Sequence, residues 1–237
     1  MQERTSPAGQ EHAAPGLTRV HFIAMVASLM ALNALAIDII LPAFPNLVAT
    51  FEIDSTTDAQ FVLLAYVIGF GAAQLIYGPI SDRYGRRAPL FLGLSVYVVF
   101  AFAGVFAPNY ELLLASRFIQ GIGAAGTRVI ALAVVRDTYS GRKMASTMSL
   151  VMMVFMVVPI IAPFVGQGII MVGPWQHIFW FMALLAGVMT LWTATRLPET
   201  LNPANRRELA VRPVLKGFQL VVSNRISLFY TLAPAFF

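Results

Sequence analysis

The sequence predicts an all-α membrane protein built around a bundle of six membrane-spanning helices. Of its 237 residues, 58% are hydrophobic and only 11% are charged, whereas a soluble domain carries roughly 25% charged residues. Six apolar runs are each long enough to cross a bilayer core, which takes roughly 20 residues of helix. The charged residues gather between these runs, as expected where the intervening segments meet water.

The six runs follow one another with short connections. They cover residues 20–41, 59–77, 88–107, 112–135, 144–172 and 175–195. The stretch 144–195 contains no formal charge, and as one helix it would be about 78 Å long. It must therefore fold back on itself, and Gly173-Pro174 is the predicted turn.

The remaining segments complete the predicted domain organisation. Residues 1–18 are polar and are expected to form a disordered cytoplasmic tail. The bundle occupies 19–196, and a basic cytoplasmic loop occupies 197–225. Residues 226–237 begin a seventh apolar run that would be only about 18 Å long. We expect a truncated seventh helix, and hence a chain that is a fragment of a longer protein or the product of a truncated reading frame.

The basic residues set the expected orientation. All of the 16 Lys and Arg residues except Arg117 and Arg128 fall in the tail or in alternate connections. The other connections carry none, and the first of them has three acidic residues. The positive-inside rule then places the N-terminus and the basic connections in the cytoplasm, with the protein in the inner membrane. The same clustering explains the net positive charge without a nucleic-acid partner.

Several chemistries find no support in the sequence. There is no cysteine, and the three histidines lie far apart on the predicted topology, so we expect no metal site and no cofactor other than a coupling proton. The segment 121–126 reads GIGAAG, which fits a dinucleotide-binding pattern, but it lies inside an apolar helical run without a preceding strand. Small residues at this spacing are typical of membrane helix packing.

The segment after the second run carries the most specific motif. Residues 78–87 read GPISDRYGRR. This stretch resembles the loop signature G-x-x-x-D-R-x-G-R-R of the major facilitator superfamily at every defining position. We expect Gly78 to permit close helix approach and Gly85 a tight turn. The motif's charged residues would form a conformational charge network, with Asp137 as a local partner for Arg83 or Arg86. The residues that we expect to take part in the change of conformation are Gly78, Asp82, Arg83, Gly85, Arg86, Arg87 and Asp137.

Two charges inside the predicted helices are the candidates for proton coupling. Arg117 begins the run RFIQGIG, which resembles the family's fourth-helix pattern. An arginine within a bilayer costs at least ~2.5–3.5 kcal/mol unless it is paired or hydrated. Asp38 lies at a matching depth in the first helix, ~9–10 Å below the outer boundary. We expect Asp38 and Arg117 to pair in one conformation and separate in another, although a purely structural ion pair or a snorkelling arginine would also fit.

The run NALAIDIILPAFP at 33–45 is similar to one branch of the superfamily, the bicyclomycin- and chloramphenicol-resistance (Bcr/CflA) drug:proton antiporters. This resemblance implies a six-helix N-terminal half made of two three-helix repeats, and a C-terminal half of the same transporter that is missing from this chain. It also implies a cavity bordered by helices one, two, four and five. Our candidates for that cavity are Asn33, Gln120, Arg128, Met152 and Met156.

The fifth helix carries PIIAPFVGQ at 159–167, which is similar to the antiporter signature of drug-exporting facilitators. Ala162 and Gln167 replace two glycines of that signature. Pro159, Pro163 and Gly166 are expected to kink the helix, and an ordinary kinked packing helix fits equally well.

Together these features predict a membrane transporter, not an enzyme, that exchanges protons for small amphipathic drugs. Two alternatives stay open at this point. One is a facilitator that imports a small metabolite, and the other is a six-helix half-transporter or channel acting as a dimer. A membrane-embedded enzyme has no nucleophile–base or metal-ligand arrangement to support it.

Overall fold

The computed structural model describes residues 18–206, and this part of the chain is helical without strands. The helices are α1 Arg19–Asp38, α2 Phe44–Phe51, α3 Thr56–Ala59, α4 Phe61–Tyr84, α5 Arg87–Val105, α6 Tyr110–Thr138, α7 Gly141–Val172 and α8 Gln176–Arg196. Short 3-10 turns lie at Leu41–Ala43 and Pro203–Asn205. Residues 1–17 of the expected tail at 1–18, most of the central loop and the predicted seventh helix lie outside the described residues.

Six stretches of helix are long and apolar enough to cross a membrane, which confirms the predicted number. Four of them are the single helices α5, α6, α7 and α8. The other two combine α1 with α2, as Arg19–Phe51, and α3 with α4, as Thr56–Tyr84. The turn predicted at Gly173-Pro174 is also confirmed, because α7 ends before Gly173 and α8 begins at Gln176.

The first span continues beyond its predicted end at residue 41. Pro42 and Pro45 each stand in the first turn of a short helix, the 3-10 turn Leu41–Ala43 and α2. Proline is tolerated there because the first N–H groups of a helix have no intrahelical acceptor. Both prolines are thus compatible with the short helices that extend the first span to Phe51.

The second span is also longer than predicted. The motif at 78–87, expected in a connection after the second run, is mostly helix, because α4 continues to Tyr84 with Pro79 inside it. Only Gly85 and Arg86 separate α4 from α5. Gly85 has a φ of +90°, a conformation that residues with a β-carbon resist. The motif thus comprises about the last two turns of α4, a two-residue break and the first residue of α5.

Helix α6 lies at the centre of the bundle and packs against α4, α5, α1 and α7. Its glycines let other helices approach closely. A β-carbon on Gly121 would lie 2.1 Å from the carbonyl oxygen of Tyr66, and one on Gly123 would lie 2.6 Å from that of Gly93. Gly126 is similarly crowded by the ring of Tyr77. The predicted helix-packing role of this glycine run is confirmed.

Large apolar side chains cover much of the outer surface. On α7 they include Met153, Ile160 and Phe164, and on α4 they include Ile68 and Leu75, all more than half exposed. A soluble monomer rarely exposes such extended apolar surface. The arrangement suits a multi-pass membrane protein, in which hydrocarbon or further helices cover these faces.

Candidate functional site

Arg117 is the largest fully buried side chain among those that the structure describes. Its Nη2 donates to the carbonyl oxygen of Ala36 on α1 at 2.7 Å, and its Nη1 donates to Oε1 of Gln120 at 2.8 Å. Its Nε has no hydrogen-bond partner within residues 18–206. The guanidinium therefore joins α6 to α1 through neutral acceptors and keeps unused donor capacity in the bundle interior.

Aromatic rings enclose the same guanidinium. Its Cζ lies 4.5 Å from the ring centroid of Tyr66 on α4 and 5.8 Å from that of Phe179 on α8. The hydroxyl of Tyr66 donates to Oδ1 of Asn33 on α1 at 3.0 Å. A cation over an aromatic face is attracted by the ring quadrupole, most strongly where water is excluded. Arg117 thereby connects four helices without a carboxylate.

Asp38 and Arg117 do not form an ion pair in this structure, and the pairing that we expect in one of two conformations stays a prediction. The salt bridges within residues 18–206 both belong to Arg86. Arg117 reaches α1 at Ala36, two residues before Asp38. Two residues turn a helix by about 200°, and Asp38 is partly exposed whereas Ala36 is fully buried. Counting residues matched the depths of the two charges but did not fix their directions around the helices.

The predicted cavity residues do not form one cluster. Asn33 and Gln120 are fully buried and belong to the Arg117 site. Met152 is half-buried against the core, whereas Met156 is 72% exposed on α7. Arg128 is half-buried on α6 and lies between two aromatic rings.

A second polar site lies at the end of the bundle that carries most of the arginines, called the basic end below. The Nε of Arg86 lies 2.7 Å from Oδ2 of Asp137, and its Nη1 lies 2.7 Å from Oδ1 of Asp82. The same Nη1 donates to Oγ of Ser81 at 2.8 Å. The predicted contact of Asp137 with Arg86 is confirmed. These partners raise the pKa of Arg86 against the opposing effect of its burial.

The other motif residues are placed differently from the prediction. A β-carbon on Gly78 would meet nothing within 4 Å, so the expected close helix approach at Gly78 is wrong for the described residues. Arg83 is exposed and lies over the ring of Tyr84. Arg87 donates to the carbonyl oxygen of Ala194 near the end of α8, at 3.1 Å.

Sequence reasoning missed Glu199, which completes the site at the basic end. Its carboxylate accepts from the backbone N–H groups of Arg86, Arg87 and Leu201 at 2.8, 3.1 and 3.0 Å. Burial alone would raise the pKa of Glu199, but these backbone donors lower it. The signal was an acidic residue in a basic segment immediately after Pro198.

The absence of a side chain at Gly85 leaves room for the carboxylate of Glu199. A β-carbon on Gly85 would lie 2.6 Å from Oε2 of Glu199, and the positive φ of Gly85 independently disfavours a side chain. The glycine of the motif thus provides both the turn and the space for the carboxylate. Because Glu199 follows α8, the network joins the end of α4, the start of α5, the end of α6 and the segment after α8.

Helix α7 runs over Gly141–Val172 and contains Pro159 and Pro163, and the kink expected there stays a prediction. Gly166 has a direct structural role at its contact with α1. A β-carbon there would lie 2.1 Å from the carbonyl oxygen of Ile39. The small residue allows α7 to pack against the end of α1, one residue beyond Asp38.

Comparison with known proteins agrees with the helical architecture. A model described as Major Facilitator Superfamily matches residues 26–237. The chain is 30% identical to the uncharacterized MFS-type transporter YdgK of Bacillus subtilis, over 95% of the chain and 56% of that protein. It is 32% identical to the multidrug resistance protein MdtL of Escherichia coli O139:H28, over 75% of the chain and 45% of that protein.

A solved structure shows the same fold. The human organic anion transporter MFSD10 superimposes with a TM-score of 0.68 at 21% identity, covering 84% of this chain and 53% of that one. The chain therefore spans about half the length of the relatives it matches. Taken with the six spans and the residues at the basic end, the match over most of the chain shows that it belongs to the Major Facilitator Superfamily.

Proposed function

We propose that this chain is the N-terminal half of a proton-coupled exporter of small amphipathic drugs, of the Bcr/CflA branch, in the bacterial inner membrane. The name of the relative MdtL supports drug efflux, and the resemblance at 33–45 supports the branch. The basic end would face the cytoplasm by the positive-inside rule. Substrate sites of facilitators lie between two halves, so transport would need the rest of the protein.

The observation that carries the proposal is the buried Arg117 bound to the α1 backbone two residues from Asp38. Asp38 is an acidic side chain well inside a predicted span, and no ion pair holds it among the residues described. In our mechanism Asp38 carries a proton while it is apart from Arg117. Deprotonation leaves a carboxylate that attracts Arg117 and favours the opposite orientation of the cavity.

The membrane potential provides the driving force in this mechanism. One elementary charge crossing the membrane is worth ~2.3 kcal/mol per 100 mV. Arg117 donates at present to a backbone carbonyl and an amide oxygen, both uncharged. Exchanging such acceptors for a carboxylate strengthens the hydrogen bond, so the exchange can bias one conformation over the other.

The test is drug transport by the full-length protein carrying Asp38→Asn, in proteoliposomes with an imposed proton gradient. Asn keeps the size of Asp38 but cannot release a proton, so we expect gradient-driven transport to be lost while drug binding remains. Asp54→Asn is the matched control, because Asp54 is exposed between α2 and α3. Unchanged coupling in Asp38→Asn would remove Asp38 from the mechanism. Transport only in the uptake direction would favour an importer.

A further inference from the structure

Arg128 is the second arginine inside the bundle, and its charge has no counter-ion in the described part of the chain. It forms no ion pair with residues 18–206 and donates no hydrogen bond to them. Its contacts there are with two aromatic rings. Away from their ends, the six spans carry three formal charges, Asp38, Arg117 and Arg128. Their sum is positive, so this interior favours an added negative charge.

The position of Arg128 excludes Asp38 as its counter-ion. Arg128 lies eleven residues beyond Arg117 on α6, which is about 16 Å along the helix axis. Arg117 already reaches α1 short of Asp38, and α6 runs from there towards the basic end. Arg128 also lies eight residues before Arg136, about 12 Å from the charged residues at that end. It is therefore isolated from the acidic groups on both sides.

Two rings from different helices hold the guanidinium of Arg128. Its Cζ lies 5.8 Å from the ring centroid of Phe70 on α4 and 5.4 Å from that of Phe155 on α7. The rings stabilise a cation through their faces, but they offer no acceptor for the five N–H donors of a guanidinium. Because Arg128 is only half-buried, a molecule arriving from outside the described bundle can reach these donors.

The rings belong to a continuous column that runs along α6. Tyr66 lies under Arg117, Phe70 stacks on Tyr66 with centroids 6.4 Å apart, and Arg128 follows Phe70. Eleven residues are close to three helical turns, so both arginines lie on one face of α6. The close crossing of α4 and α6 at Gly69 and Gly121 brings these rings to the arginines.

We infer that Arg128, with Phe70 and Phe155, forms a subsite for the anionic group of an aromatic substrate, such as a carboxylate or a sulfonate. The inference rests on the proposed transport function, because it names a class of substrate for the same transporter. A planar guanidinium can bind such a group through two parallel hydrogen bonds. The aromatic part of the substrate would pack beside the two phenylalanine rings.

The test measures binding to the purified full-length protein without a proton gradient. Three probes share one ring system and differ in charge: 1-naphthalenesulfonate, neutral 1-naphthalenemethanol and cationic 1-naphthylmethylammonium. We expect the wild-type protein to bind the sulfonate at least ~10-fold more tightly than the alcohol, as for a charge-assisted hydrogen-bonded contact. Arg128→Gln should abolish this preference, and Arg128→Lys should retain part of it.

The controls separate a subsite from a structural role. Arg142→Gln removes an exposed arginine at the basic end and should leave the preference intact. If Arg128→Gln is not monodisperse, Arg128→Met tests the same point without an unpaired polar group in the bundle. Equal loss of affinity for all three probes would indicate a packing role and overturn the subsite. So would a wild-type protein without anion preference, as expected if a carboxylate elsewhere in the full protein pairs with Arg128.

The outcome is independent of the proton-coupling proposal. Anion preference in the binding assay, combined with unchanged coupling in Asp38→Asn, would retain the subsite and reject the coupling role of Asp38. If Asp38→Asn loses coupling as expected while the Arg128 variants keep the sulfonate preference, the coupling role of Asp38 is retained and the subsite is rejected.

Discussion

The substitution Gly121→Ala should separate α4 from α6 and loosen the Arg117 site. The added β-carbon would lie 2.1 Å from the carbonyl oxygen of Tyr66 and 3.0 Å from the backbone nitrogen of Phe70. Both are backbone atoms, so no side-chain rotation relieves the clash. Ordinary contact begins near 3.4 Å, and the helices must therefore move apart by about 1.3 Å.

The expected cost follows from packing and not from helix propensity. Extra methyl groups in a packed interior cost about 1–3 kcal/mol. The displacement also moves the ring of Tyr66 away from the guanidinium of Arg117, now 4.5 Å from the ring centroid. Alanine favours a helix over glycine by roughly 1 kcal/mol, which offsets part of this cost. We expect a net fall in melting temperature on the order of 5 °C.

The assay is thermal unfolding of the full-length protein in detergent, followed by the monodisperse fraction after heating. Gly71→Ala is the matched control, because Gly71 is a glycine within α4 whose added β-carbon would meet nothing within 4 Å. It should be neutral or slightly stabilising. If the melting temperatures of Gly121→Ala and Gly71→Ala are equal, α4 and α6 do not cross as closely as the structure shows.

Two further predictions concern the basic end. Arg86→Gln should lower the free energy of unfolding by about 2 kcal/mol, because one amide cannot bind both Asp82 and Asp137. The exposed control Arg83→Gln should change the melting temperature little. Equal effects of the two substitutions would contradict the network. Glu199 has a lowered pKa in the folded state, so its contribution to stability is present above the ordinary glutamate pKa of about 4.3 and is lost as the pH falls through the folded value. The difference in melting temperature between wild type and Glu199→Gln should shrink below pH ~4, and a difference that stays constant from pH 7 to 3 would refute this role.

The helical architecture was predictable because bilayer thickness imposes it on composition. Each span needs a run of apolar residues, and the chain has no alternative way to satisfy its backbone there. The turn at Gly173-Pro174 was predictable for a related reason, since an uncharged stretch too long for one crossing must reverse. The contact of Arg86 with Asp137 followed from two charges at neighbouring helix ends.

The ends of the helices and the directions in which side chains point were less predictable. The charged motif was expected to lie in a loop after the second run, yet α4 continues to Tyr84 because only Gly85 breaks the helix. Depth along the chain matched Asp38 with Arg117, but residue counting does not tell which way two side chains face across a bundle. In the structure Arg117 instead donates hydrogen bonds to the carbonyl oxygen of Ala36 and the side-chain amide oxygen of Gln120.

The sequence by itself determined that this chain spans a membrane six times, and its motif and the charges between spans pointed to the facilitator family. Those properties depend on composition and order along one dimension. Only the tertiary structure decided that Tyr66 and Phe70 line the arginines of α6 and that Glu199 closes the network around Gly85. These groups are far apart in sequence, and they meet because glycines set how closely the helices cross.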